Sequence, residues 1–161
     1  TSKANGEHKM QWQRINRSDP EKVFVVVFNS YSTAAITNGQ FVNWDFITDV
    51  DGVGVTMPLA RATNAGFAAA GVVAAASIAS GAYGFVQTYG YHSAARVRTV
   101  TGGTPAIAKG RPLVANVAGS VFCLESVSTA STVILTFPCA FALAANASWT
   151  TLAKAVFVKA W

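Results

Sequence analysis

Charged residues are scarce in this chain: Asp, Glu, Lys and Arg together make up 12% of its 161 residues, about half the usual share of a globular protein. A free monomer normally keeps a mixed charged exterior, so a surface this poor in charge favours a protein that is partly covered by partners. The length allows one domain with a substantial core, whereas two independent domains would be cramped.

Side chains that could carry catalysis are equally few. The chain has 2 histidines, of which His8 lies in a polar segment and His92 follows an aromatic stretch. No serine stands in a Gly-x-Ser-x-Gly setting, and no glycine-rich stretch ends in the Gly-Lys-Ser or Gly-Lys-Thr of a phosphate-binding loop. The sequence therefore predicts a protein that is not an enzyme, with no catalytic residues and no cofactor.

Metal sites are not predicted either. The 2 cysteines, Cys123 and Cys139, lie on apolar segments without neighbouring ligands; the sequence favours two buried thiols but leaves their pairing open. Asp49 to Gly52 resembles part of a calcium loop, but two further ligand positions are occupied by Ile47 and Pro58. A tight turn with its glycine at positive φ is the better interpretation.

Long apolar runs are also missing, and the basic residues are dispersed. The most apolar stretch, residues 66 to 79, is shorter than the roughly 20 residues of a membrane span, and residues 1 to 19 lack the apolar core of a secretory signal. The net charge is +5, and the sequence after Asp51 contains seven basic residues and one acidic residue, Glu125. Because these basic residues are scattered along the chain, a nucleic acid is not the expected partner, and the short apolar stretch means that a membrane is not expected either.

Residues 1 to 22 form a polar segment that mixes both signs of charge. It cannot bury enough apolar area to fold alone, so it is either a tail or an arm that becomes ordered against another chain. An isolated Trp is the kind of anchor that fills a pocket on a partner, which favours the arm. The candidate interface residues in this arm are Trp12, Arg14, Ile15 and Arg17.

Most of the remaining chain reads as short β-strands. The aromatic segment from Gly81 to His92 predicts a central strand, with Phe85, Gln87, Tyr89 and Tyr91 on one face and Val86 and Thr88 on the other. Val23 to Phe28 is continuously apolar and predicts a strand covered on both faces. Further strands are predicted at 53–57, 71–75, 94–100, 121–127, 132–137 and 155–161, with a short helix or irregular structure within 141–152. The expected fold is all-β, a single β-barrel or β-sandwich over residues 23 to 161.

The order of short glycine and aromatic motifs carries a resemblance. These motifs are Glu21–Phe28, Gly39–Asp45, Asp51–Val55, Gly71–Val73, the Gly-x-Tyr-Gly-x-Val-Gln run that ends at Gln87, Ala108–Val114 and Ala155–Trp161. In this order the chain resembles small virion structural proteins of tailed bacteriophages, above all capsid decoration (cement) proteins. The likeness covers nearly the whole domain from Glu21 onward.

The resemblance implies a β-rich module that binds the outer surface of the capsid after assembly in the host cytoplasm. Its implied partners are the major capsid protein, whose subunit contacts it would stabilise, and further copies of itself, with a trimer favoured over a dimer. Tyr89, Tyr91, Arg96 and Arg98 join the arm residues as candidate capsid or subunit contacts. Two alternatives stay open: a tail, neck or head-fibre component, and a glycan-binding module for host attachment that uses Tyr89, Tyr91 and His92.

Overall fold

The computed structural model describes residues 21–49, 52–58, 68–74, 76–99, 106–118, 121–126, 138–147 and 150–160. These residues contain strands and no helix, which confirms the all-β prediction. The strands are β1 Val23–Asn29, β2 Ile36–Thr37, β3 Phe41–Trp44, β4 Gly54–Thr56, β5 Ala69–Val73, β6 Ser77–Ile78, β7 Tyr83–Arg98, β8 Pro112–Ala118, β9 Val121–Ser126, β10 Ala140–Ala142 and β11 Leu152–Lys159. The predicted strand 132–137 and the arm up to residue 20 lie outside the described residues.

Strand β7 is the axis of the fold. Its first half pairs antiparallel with β1 and β5, and its second half pairs antiparallel with β11 and parallel with β9. The predicted central strand is therefore present, but it continues to Arg98 without a break. The sequence interpretation was wrong to place His92 at a strand end, because pairing with β11 carries the strand through it.

The pairings close two circuits on β7. One runs β1-β4-β3-β5-β7 and the other runs β7-β11-β10-β8-β9, and together they form one 9-stranded mixed sheet. Strands β2 and β6 form a separate two-stranded sheet. The nine strands of the large sheet are thus joined through β7 by hydrogen bonds, and the buried residues form two hydrophobic clusters.

The two cores are built from alternate residues of these strands. The first cluster contains Val27, Val42, Val55 and Val86. The second cluster consists mainly of residues from the circuit β7-β11-β10-β8-β9. It also contains Phe41 of β3 and Val72 of β5, because successive side chains of a strand point to opposite faces of the sheet. Both cysteines are buried as thiols, as the sequence favours, and burial raises the pKa of Cys139 to about 12.

The expectation that β1 is covered on both faces is wrong for the part of the chain that the structure describes. Val27 is fully buried, whereas Phe24 and Val26 on the opposite face are exposed. The side chains that stand beside them across the ladder belong to Gln87 and Phe85, and Phe85 is itself exposed. The continuous apolar run therefore has one face in the core and one face turned outward.

The predicted two-sided pattern of the aromatic segment holds only in part. Phe85 is exposed and Val86 is buried, but Gln87 and Thr88 are both buried. The β1–β7 register shifts between Val23 and Phe24, so one extra residue of β7 is accommodated there. Such a bulge interrupts strict alternation of side chains. By contrast, the predicted turn glycine Gly52 does have a positive φ, of 73°.

Replacing Gly84 by valine is expected to lower the free energy of unfolding by about 2–3 kcal/mol, because overpacking a filled site forces its neighbours to shift. A Cβ at this position would overlap the side chain of Ile78, which is buried. Urea denaturation of the single variant and of Gly84→Val with Ile78→Ala measures the effect. Ile78→Ala removes the overlapping atoms, so Gly84→Val should lower the free energy of unfolding less in the Ile78→Ala background than in the wild type. Equal losses in the two backgrounds would contradict the proposed contact.

Candidate functional site

The turn after β3 is held by one carboxylate. Asp45 Oδ1 accepts hydrogen bonds from the backbone amides of Ile47 and Thr48, each at 3.2 Å, and its Oδ2 accepts one from the Thr48 hydroxyl. The Asp45 carbonyl also accepts from the amide of Asp49. Burial acts to raise the pKa of Asp45, but these hydrogen bonds outweigh it and leave the pKa below its ordinary value. The carboxylate is thus charged near neutral pH, and the turn is internally braced.

This braced turn presents apolar side chains to the outside. Ile47 is 83% exposed and Phe46 is 60% exposed, while Val53, where the chain returns into β4, is also exposed. We call Phe46, Ile47 and Val53 the apolar loop. A turn whose backbone is already held in place loses little backbone freedom on binding, so a loop of this kind is suited to anchoring in a pocket of another protein.

A second apolar surface lies on the outward side of the β1–β7 ladder. Val26 is 58% exposed and stands opposite Phe85, which is 54% exposed. Phe28 stands opposite Tyr83, and their ring centroids are 5.2 Å apart. We call Phe24, Val26, Phe28, Tyr83 and Phe85 the outer apolar face. It contains no charged residue, and contiguous exposed apolar patches of this kind usually mark interaction surfaces.

A polar cleft of about 240 Å³ adjoins this face. Its lining includes Asn38, Gln87, Tyr91 and His92. Gln87 Nε2 donates to the carbonyls of Tyr89 and Tyr91, both at 3.1 Å, and Asn38 Nδ2 donates to a backbone carbonyl at 3.1 Å. These amide donors are engaged within the protein, which reduces what the cleft offers to a glycan.

His92 is held in its neutral form in this cleft. Burial lowers its pKa, and the nearby charge of Lys22 lowers it further, against a hydrogen bond to the Val73 backbone that acts to raise it. The His92 Nδ1 accepts a hydrogen bond from the amide of Ala94 at 3.2 Å. The imidazole therefore has an internal role in joining neighbouring strands.

The tyrosines predicted as contact residues have partners within the domain. Tyr89 is half-buried and meets the edge of Phe157, with ring centroids 5.0 Å apart. Tyr91 is also half-buried, and the Lys22 Nζ lies 5.9 Å from its ring centroid. Their use at a capsid or subunit contact stays a prediction.

The two arginines of the predicted contact set differ in their surroundings. Arg96 is half-buried, and its backbone amide donates to the carbonyl of Gly39 at 2.7 Å. Arg98 Nη2 lies 3.6 Å from Oε1 of Glu125, whose side chain is only 3% exposed. Arg98 is thus part of an internal ion pair. The four arm residues of the set, Trp12, Arg14, Ile15 and Arg17, lie outside the described residues.

Sequence reasoning missed both apolar surfaces and the ion pair. Sequence reasoning does not single out the apolar loop, although an Asp followed by Thr three residues later is a recognisable signal for a side-chain-capped turn. The outer apolar face was missed because β1 was expected to be covered on both sides. Only a long-range pairing brings Arg98 beside Glu125, and no local signal predicts it.

Comparison with known proteins adds no relative. No protein-family model, curated protein or solved structure matches this chain. Function is therefore inferred from the surfaces described above and from the order of motifs in the sequence. Within the described ranges, no group of three or more His, Cys, Asp or Glu residues could hold a metal ion, and no helix has the length and apolarity of a membrane span.

Proposed function

We propose that this chain is a structural protein of a tailed-phage virion. It binds the outer surface of the capsid and stabilises the contacts between subunits of the major capsid protein. Several copies act together, as the resemblance to decoration proteins implies. The order of motifs supports the assignment to the virion, and the apolar loop supports the mode of contact.

The observation that carries the proposal is that Phe46 and Ile47 are exposed on a turn whose backbone is held by hydrogen bonds. An exposed isoleucine on a rigid turn adds little to the stability of an isolated domain, because its apolar area stays in water. Burying such a side chain in a pocket contributes about 1.5–3 kcal/mol. One contact of this size is weak, but copies that are linked around a shell sum their contacts through avidity.

Replacing Ile47 by aspartate is expected to weaken binding to capsids by about 30-fold, because it removes one buried apolar anchor and would desolvate a carboxylate in its place. Co-sedimentation with shells of the major capsid protein from the same virus measures the affinity. The fold should be unaffected, since Ile47 is 83% exposed. Shells saturated with the wild-type chain should also resist heating better than shells mixed with the variant.

Ala153→Asp is the matched control, because Ala153 is an exposed residue in β11 and lies outside the apolar loop. This variant should bind shells as tightly as the wild type. If Ile47→Asp and Ala153→Asp bound equally well, the apolar loop would not be the contact. Binding to purified tails and not to shells would favour the tail or neck alternative.

A further inference from the structure

The outer apolar face keeps large apolar side chains in contact with water. The exposed fraction reaches 68% at Tyr83 and is still 46% at Phe24. From the exposed fractions of its members and the typical areas of aromatic and aliphatic side chains, the face presents about 450 Å² of apolar surface. Soluble monomers rarely expose more than a few hundred square ångströms in one apolar patch, so the face is suited to being covered by a partner.

The chemistry of the face suits a second copy of this chain as that partner. Its members are three phenylalanines, a tyrosine and a valine, and none of them is charged. The whole chain carries a net charge of +5, so two copies meet most easily through a surface that adds no charge of its own. Homodimer interfaces are likewise rich in aromatic side chains and poor in charged ones at their centre.

The area of the face is sufficient for a pair of copies. Two faces together hold about 900 Å² of apolar surface, by the same typical side-chain areas. Because about 65% of the area of a homodimer interface is apolar, a pairing that covers both faces would bury about 1,400 Å² in all. Stable protein interfaces bury roughly 1,200–2,000 Å², so a pairing through this face lies within the usual range.

The shape of the face is self-complementary. Val26 and Phe85 stand opposite each other at its centre. The rings of Phe28 and Tyr83 lie at one end, and Phe24 lies at the other. A two-fold axis parallel to the strands, midway between β1 and β7, would set Phe85 of each copy over the smaller Val26 of the other. The side chains of the two faces would then interdigitate, as they do between packed sheets about 10 Å apart.

We propose that two copies of this chain pair through their outer apolar faces about this two-fold axis. Pairing removes from water the side of β1 that is exposed in the single chain. It gives a dimer, whereas the resemblance to decoration proteins favours a trimer, so the mass of the oligomer distinguishes the two expectations. The pairing uses different residues from the apolar loop and does not depend on capsid binding.

Sedimentation equilibrium of the full chain, without capsid shells, tests the pairing. Interfaces of standard size have Kd values from micromolar to picomolar, so the wild type should form dimers within a range of about 1–100 µM. Phe85→Glu is expected to raise the Kd of the dimer at least about 100-fold, because a two-fold interface carries each substitution twice and both carboxylates would lose their water. Val26→Glu should have a similar effect.

Leu152→Glu is the matched control, because it places the same charge on an exposed apolar residue of β11, outside the face. This variant should pair like the wild type. Circular dichroism checks that each variant folds, and Val26→Glu provides a second change on the face in case Phe85→Glu does not.

A mixture of two variants tests the two-fold arrangement itself. Phe85→Glu and Val26→Lys each place a charge in the apolar centre when they pair with themselves. In a mixed pair, the introduced glutamate of one chain would stand over the introduced lysine of the other, and the second contact would keep its native Val26 and Phe85. The mixture should therefore associate at least about tenfold more tightly than either variant alone.

Four results would overturn the proposal. The first is a wild-type chain that stays monomeric up to about 100 µM; if Phe85→Glu then weakened its binding to shells, the capsid would be the occupant of the face. The second is a trimer in place of a dimer. The third is a dimer that Phe85→Glu and Val26→Glu leave intact, or that Leu152→Glu weakens equally. The fourth is a mixture of Phe85→Glu and Val26→Lys that associates no better than its components.

Discussion

Replacing Glu125 by alanine is expected to lower the free energy of unfolding by about 3–5 kcal/mol, since it leaves a partly buried cation without its partner. Glu125 stands opposite Arg98 in the parallel β7–β9 ladder, and Arg98 Nη2 lies 3.6 Å from its Oε1. Its other oxygen accepts a hydrogen bond from Asn116 of β8. One carboxylate thus joins three strands where the second circuit closes. Urea denaturation followed by tryptophan fluorescence measures the loss.

Two further variants separate charge from packing. Glu125→Gln keeps an acceptor for Asn116 and removes the charge, so it should cost less than alanine, about 1–2 kcal/mol. In the double variant Arg98→Ala with Glu125→Ala, the summed single effects should exceed the measured loss by about 1–3 kcal/mol. Additive effects, or a Glu125→Ala variant within about 1 kcal/mol of the wild type, would show that the pair contributes little.

Local sequence predicted where strands form better than it predicted which of their faces are covered and where they end. The run from Val23 to Phe28 has the composition of a strand, and it is one. Which of its faces is covered depends on the elements that pack against it, and an apolar residue on each face carries no information about that. His92 shows the same limit: glycine and polar residues around it resemble a strand end, whereas pairing with β11 extends β7 through this position.

The two candidate surfaces differ in whether a local sequence pattern predicts them. The apolar loop had a local signal, because Asp45 caps amides only two and three residues ahead. The outer apolar face had none, because it exists only where β1 and β7 pair across about 60 residues of sequence. Arg98 stays a predicted capsid or subunit contact residue, and its ion pair with Glu125 had no local signal, because the two residues are distant in the chain and adjacent in the sheet.

Gly90 marks the point where β7 passes from one circuit to the other. Tyr89 pairs with Val23 of β1 and with Lys159 of β11, so both ladders overlap immediately before it. Gly90 has a φ of 100°, and a Cβ there would overlap the backbone carbonyl oxygen of Glu21. The position therefore requires glycine for two reasons, a backbone conformation that other residues rarely adopt and a close approach of another chain segment.

Replacing Gly90 by alanine is expected to lower the free energy of unfolding by about 3 kcal/mol or more, because conformational strain of about 1–2 kcal/mol is added to a clash that only backbone movement can relieve. Gly81→Ala is the matched control: its φ is 73°, and no atom beyond its own chain neighbours lies within 4 Å of the added Cβ, so only the strain should remain. Urea midpoints at equal slopes give both values. Equal losses for the two variants would mean that β1 moves freely away from β7, and that the junction of the two circuits is not tightly packed.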